Sequence, residues 1–181
     1  MPGSADEFGA TPARLFINDG SGAFTEQAAL RGIDDTSEGR GLACFDIERD
    51  GDIDVVIQAN QGTGRIYRNT AADAGTRSWL GVRLLGVSPN TEALGATIEV
   101  HGASMVQFHE MQIPVHYLSS SPAERVFGFT TKPDEVLIRI RWPDAGRRAY
   151  RLGSVNRWIV FAAPGADDVY VDQFEADATA P

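Results

Sequence analysis

The sequence predicts an all-β protein, and three observations carry that expectation. Short runs rich in β-branched and aromatic residues recur every ten to fifteen positions. Gly, Asn, Asp and Pro separate them. No stretch shows the 3.6-residue apolar period of an amphipathic helix; residues 26–32 could form one turn, which Gly32 would stop. The clearest strand is 135–142, where Val136, Ile138, Ile140 and Trp142 alternate with Leu137, Arg139 and Arg141. That period of two describes a half-buried antiparallel strand.

In chain order the expected strands are 14–18, 41–45, 53–60, 65–69, 79–85, 96–101, 105–113, 125–129, 135–142, 148–152, 157–162 and 169–174. The small-residue stretch 71–77 marks a boundary, giving a first segment 1–76 and a second 77–163. From Pro164 an acidic tail, 164–181, follows, and its small, polar last residues are expected to fray.

At 181 residues with 43% hydrophobic content, the chain can build a packed core. Sixteen basic against 25 acidic residues give a net charge of −9, which disfavours nucleic acid and anionic membranes as partners. No apolar run has the length of a membrane span, and the first residues lack the basic and apolar regions of a signal peptide. Cys44 stands alone, so no internal disulfide is possible; its place in an apolar strand predicts an inert thiol.

The densest chemistry lies at 46–54, where Asp46, Glu48, Asp50, Asp52 and Asp54 fall on alternate positions around Gly51. Carboxylates so close repel one another unless a cation lies among them, and short acidic turns are how proteins hold calcium. Side chains of Asp46, Glu48, Asp50 and Asp54, with the carbonyl of Asp52, could converge on one Ca2+ ion. Glu48 carries an extra methylene that pushes its carboxylate outward, which makes it the weakest of the five. An EF-hand would need Glu at the twelfth position and a following helix. Here Ile57 occupies that position, and the β-prone Ile53–Ile57 run follows. The competing reading is a solvated acidic turn.

Other groups offer less. His101, His109 and His116 read as surface or interstrand histidines, because His109 and Glu110, as strand neighbours, point to opposite faces. Ser119, Ser120 and Ser121 lack the glycines of a nucleophile elbow and read as a polar turn before Pro122. The glycine-rich stretches at 20–22 and 62–64 lie between strands and read as hairpin turns rather than phosphate loops. Trp79, Trp142, Trp158, Tyr117 and Tyr150 could form a sugar-stacking platform, although the alternation places Trp142 in the core.

Two family resemblances follow from these motifs. Leu15–Phe24, then Gly39–Asp46 with the acidic loop, resembles one FG-GAP/VCBS repeat, a β-propeller blade of the integrin-α type; Arg65–Asn69 resembles the start of the next repeat. That resemblance implies calcium ligation by Asp46, Glu48, Asp50, Asp52 and Asp54. It departs from the family at Glu48, where Asp or Asn is usual. Trp79–Gly86, Asn90, Leu94–Val100, Tyr117–Ser121, Val126–Phe129, Val136–Pro143 and Asn156–Val160 resemble the ASPIC/UnbV domain. Here His116 and the turn 144–146 depart from the pattern. The pairing is that of the cartilage acidic protein family and its bacterial relatives.

The expected architecture is therefore a partial β-propeller blade of VCBS/FG-GAP type followed by an antiparallel, β-sandwich-like ASPIC/UnbV domain. One blade cannot close a propeller, so the chain is expected to be the C-terminal part of a longer extracellular protein, with upstream blades as partners and Val55 and Ile57 seeking cover. The resemblance implies a non-enzymatic, calcium-binding, extracellular or cell-surface module for interaction or adhesion with a protein or glycan, without membrane insertion. The alternative is a carbohydrate-binding accessory domain of a larger secreted enzyme.

Overall fold

A computed structural model describes residues 11–60, 62–71, 75–113, 115–143 and 146–164. The sequence-derived strand 169–174, most of the tail and the turn residues Asp144 and Ala145 lie outside them. All regular structure among the described residues is β, as the sequence predicts. Strands β1 (Phe16–Asn18), β2 (Phe24–Glu26), β3 (Gly39–Phe45), β4 (Asp54–Ala59), β5 (Arg65–Tyr67), β6 (Ser78–Leu85) and β7 (Thr97–Gly102) come first. They are followed by β8 (Met105–Glu110), β9 (Val115–His116), β10 (Ser119–Ser120), β11 (Glu124–Phe129), β12 (Val136–Trp142), β13 (Gly146–Leu152) and β14 (Arg157–Ala162).

The chain divides into two compact units. Met1–Ala43, Val55–Arg68 and His116–Ser119 make the first; Cys44–Asp54, Asn69–Val115 and Ser120–Pro181 make the second. In the first, β1 and β2 form a hairpin whose turn is held by the Asp19 carboxylate, which accepts from the Ser21 amide at 2.8 Å. Residues 28–32 make a single turn, and Gly32 closes it with φ of 71°. Strands β3, β4 and β5 form a three-stranded sheet. Phe16, Phe24, Leu30 and Ile66 are exposed in this unit, whereas Val55 and Ile57 are half-buried.

The second unit is a two-sheet sandwich. One sheet has the order β11-β6-β14 and the other β13-β12-β7-β8. Leu80, Val82, Leu84, Phe127, Ile159 and Phe161 of the first sheet share one core with Ile98, Val100, Val136, Ile138, Ile140 and Trp142 of the second. The alternation read in 135–142 is the alternation observed: Val136, Ile138 and Ile140 are fully buried, while Arg141 is exposed. One pair departs from the antiparallel expectation, since β14 runs parallel to β6, Arg157 opposite Leu80 through Ala162 opposite Leu85. Strand β6 is buried on both faces, and its Trp-Leu-Gly-Val run is the continuous apolar pattern such a strand requires.

The short strand β2 escapes sequence reading because its three residues are all exposed and show no apolar face. Ser119 and Ser120 form strand β10, paired with β9, where the sequence predicts a turn. The turn is instead Tyr117-Leu118, with Leu118 at φ of 55°.

Candidate functional site

The acidic loop joins β3 to β4, and its end residues are its most buried: Asp46 is 1% and Asp54 0% exposed. Burial of a carboxylate requires hydrogen-bond donors, and the loop's own backbone supplies them. Asp46 Oδ1 accepts from the Asp50 amide at 3.0 Å and Oδ2 from the Gly51 amide at 2.9 Å. Asp54 Oδ2 accepts from the Ile47 amide at 2.9 Å, and Oδ1 from the Asn69 amide at 2.8 Å. Asp52 is also buried, and its amide donates to Asp50 Oδ1 at 3.3 Å. Glu48 is exposed, consistent with its longer arm. Arg49 and Gly51 turn the chain with φ of 64° and 96°.

The loop rests on the outer face of sheet β11-β6-β14. Trp158 Nε1 donates to Asp46 Oδ2 at 3.0 Å. A Cβ at Gly51 would overlap the Trp79 ring, so glycine is required there for contact as well as for φ. Gly81 plays the matching part on the sheet, since a Cβ there would overlap Trp158. The two indoles stand 6.5 Å apart at 59°. Arg49 lies 4.2 Å above the Trp158 ring and pairs with Glu124 at 2.9 Å. The Ser121 hydroxyl accepts from the Cys44 amide at 2.9 Å. Beside the loop is a cleft of about 430 Å³ whose walls include Phe45, Ile47, Arg83, Glu92, Ile113 and Glu124.

Sequence reading found the five acids and missed what holds them. Trp158, Arg49 and Glu124 are far apart in the chain, and no local period announces their meeting. The one available signal was Gly81 amid bulky apolar residues, which marks a close approach in a strand.

The donor set suits calcium, being all oxygen and dense in charge. A carboxylate offers about four acceptor positions. Asp46 fills three through Asp50, Gly51 and Trp158, and Asp54 fills two. Acceptor capacity therefore remains at both ends of the loop. Among the described residues no group of three or more His, Cys, Asp or Glu side chains is drawn together closely enough to hold a metal ion. As it stands, the loop is closed by its own amides.

The other candidates have structural partners. Ser119 Oγ accepts from the Leu42 amide at 2.9 Å and donates to the Leu42 carbonyl at 2.7 Å. Partial burial raises the Cys44 thiol above its ordinary pKa, which keeps it protonated. His101 lies 2.5 Å from Glu99, and His109 meets Arg125. Burial, reinforced by the Arg125 charge, lowers the His109 pKa to about 4. His116 is exposed in the first unit. Nor do the five aromatics form a platform: Trp142 is core, Trp79 lies under Gly51, Trp158 carries Arg49, and Tyr150 packs tilted against Phe161, ring centroids 4.5 Å apart. Tyr117 is exposed in the first unit.

Residues 86–167 match the family described as ASPIC and UnbV. The ASPIC/UnbV match covers β7 to β14, while β6 and the acidic loop lie upstream of it. The chain is also similar to cartilage acidic protein 1 of Mus musculus, with 40% identity over 67 residues, covering 36% of this chain and 10% of the mouse protein. Similarity to the Homo sapiens protein of that name is 44% over 57 residues, 31% of this chain and 9% of the relative. In Xenopus tropicalis it is 40% over 57 residues, with the same coverage. The matched regions thus span about a tenth of these relatives' length.

Proposed function

We propose that this chain is a non-enzymatic, calcium-binding interaction module of an extracellular or cell-surface protein. In this reading a VCBS/FG-GAP-type blade precedes the ASPIC/UnbV domain, and calcium at Asp46, Asp50, Asp52 and Asp54 rigidifies the acidic loop 46–54, with Glu48 at its rim. The observation that carries the reading is the docking of the loop. Buried Asp46 is bonded to Trp158, so any ion that orders the loop also orders the outer face of sheet β11-β6-β14.

Further observations support it. Exposed Phe16, Phe24 and Ile66 suit a repeat whose neighbouring blades would cover them. The Ser119 and Ser121 hydroxyls are hydrogen-bonded, and the Cys44 thiol is held protonated. Similarity to proteins named for cartilage supports an extracellular setting, with adhesion to a protein or glycan as the role.

Calorimetric titration of the chelator-treated chain with calcium tests this. One binding site is expected, lost in Asp50→Ala, a variant that leaves the Asp46 and Asp54 closing bonds to other amides in place. Calcium at about a hundred times its dissociation constant should stabilise the chain by about 2.7 kcal/mol. The absence of both binding heat and a melting shift at millimolar calcium would overturn the calcium reading.

A further inference from the structure

The outer face of sheet β13-β12-β7-β8 divides by charge. In antiparallel register, directly opposed residues share a face, so Arg139 and Arg141 of β12 lie beside Ala149 and Arg147 of β13, with Leu137 beside Arg151. Four guanidinium groups thus line one hairpin in a chain whose net charge is −9. The strand carboxylates of this face, Glu99 and Glu110, sit on β7 and β8, while Glu135 lies just ahead of β12. Arg139 reaches Glu99 at 3.5 Å, and Arg151 pairs with Glu135 at 2.6 Å.

Arg141 and Arg147 differ. They stand opposite each other in the register, both are exposed, and among the described residues neither has an ion pair or side-chain hydrogen bond. Like charges directly opposed across two strands destabilise the pair, with Cβ atoms about 5 Å apart. An anionic group bridging two guanidinium forks removes that repulsion and gains paired, charge-assisted hydrogen bonds. Screening confines charge effects to about 8 Å at physiological salt, so the local arginines outweigh the distant net charge.

We propose that this hairpin face binds an acidic polysaccharide through its sulfate or carboxylate groups, with Arg141 and Arg147 as the primary pair and Arg139 and Arg151 extending the track. From Arg147 to Arg151 the track runs about 13 Å along the strand, enough to meet successive charged groups of a linear chain. Leu137 and Ala149 share this face with the arginines. Recognition here is by charge, and it needs no aromatic platform. The inference deepens the interaction-module reading by naming the partner's chemistry. It is independent of the calcium loop, so the failure of one leaves the other standing.

Calorimetry of the full chain with a heparin octasaccharide is the test. One-to-one binding is expected, weakened about tenfold or more in Arg141→Ala/Arg147→Ala. The plot of log K against log salt should flatten by about one to two units. The control Arg14→Ala/Arg31→Ala removes the same charge from exposed sites in the first unit and should stay within about twofold of the parent. The control should melt like the parent, and Arg141→Ala/Arg147→Ala should melt no lower than the parent, since it relieves the opposed charges. Absence of binding, an equal loss in the control, or tighter binding of a single-stranded oligonucleotide would each overturn the proposal. So would a dimer of the unliganded chain that the Arg141/Arg147 substitutions dissociate, since a second copy would then be the occupant.

Discussion

At the scale of single residues, burial decides chemistry more than residue type does. His109 lies in a strand with alternating exposure, and its ring meets Arg125 across the β8–β11 region of the second unit. Partial burial and the arginine's charge both oppose its protonation and bring its pKa to about 4, against an ordinary 6.5. Between those values the unfolded chain binds a proton that the folded chain refuses, so acidification favours unfolding. This contribution to stability is complete above about pH 6.5 and declines as pH falls toward 4. The melting temperature should therefore be lower at pH 5 than at pH 7.5, and His109→Gln should remove much of that drop. An identical drop in the variant would assign the effect to other groups. The sequence leaves His109 as a surface or interstrand histidine, and Arg125, sixteen residues away, supplies the charge that no local pattern announces.

At the scale of elements, legibility follows how local the signal is. Strand β12 could be read almost residue by residue, because alternation of Ile138 and Ile140 with Arg139 and Arg141 depends only on the pleat. The acidic loop was half-legible. Its acids and Gly51 were visible, since tight turns dictate those residue types, but its support by Trp79 and Trp158 was not. The ring beneath Gly51 gives a direct test. Gly51→Ala must overlap Trp79 and hold a side chain at positive φ, so it should cost about 2–4 kcal/mol in denaturant unfolding. Gly128→Ala in β11 is the contrast: nothing lies within 4 Å of its added Cβ, and the change should be close to neutral. Equal losses at the two positions would show that Gly51 is not read through the Trp79 contact.

For the whole molecule, the order of residues along the chain differs from their grouping in space. Cys44–Asp54 precedes the small-residue stretch 71–77, yet it belongs to the same compact unit as the sandwich. The reason is physical: two large indoles on the outer face of β6 and β14 need cover, and the acidic loop supplies it through Asp46, Arg49 and Gly51. A chain begun at residue 77 retains every strand of the two sandwich sheets but loses that cover. It also lacks Arg49, the ion-pair partner of Glu124. Such a truncation should melt well below the full chain, and its tryptophan emission should shift to the red as Trp79 and Trp158 meet water. Restoring residues 39–76 ahead of it should return both values toward those of the full chain. If the chain begun at 77 melts and emits like the parent, the acidic loop is not part of the second unit's fold.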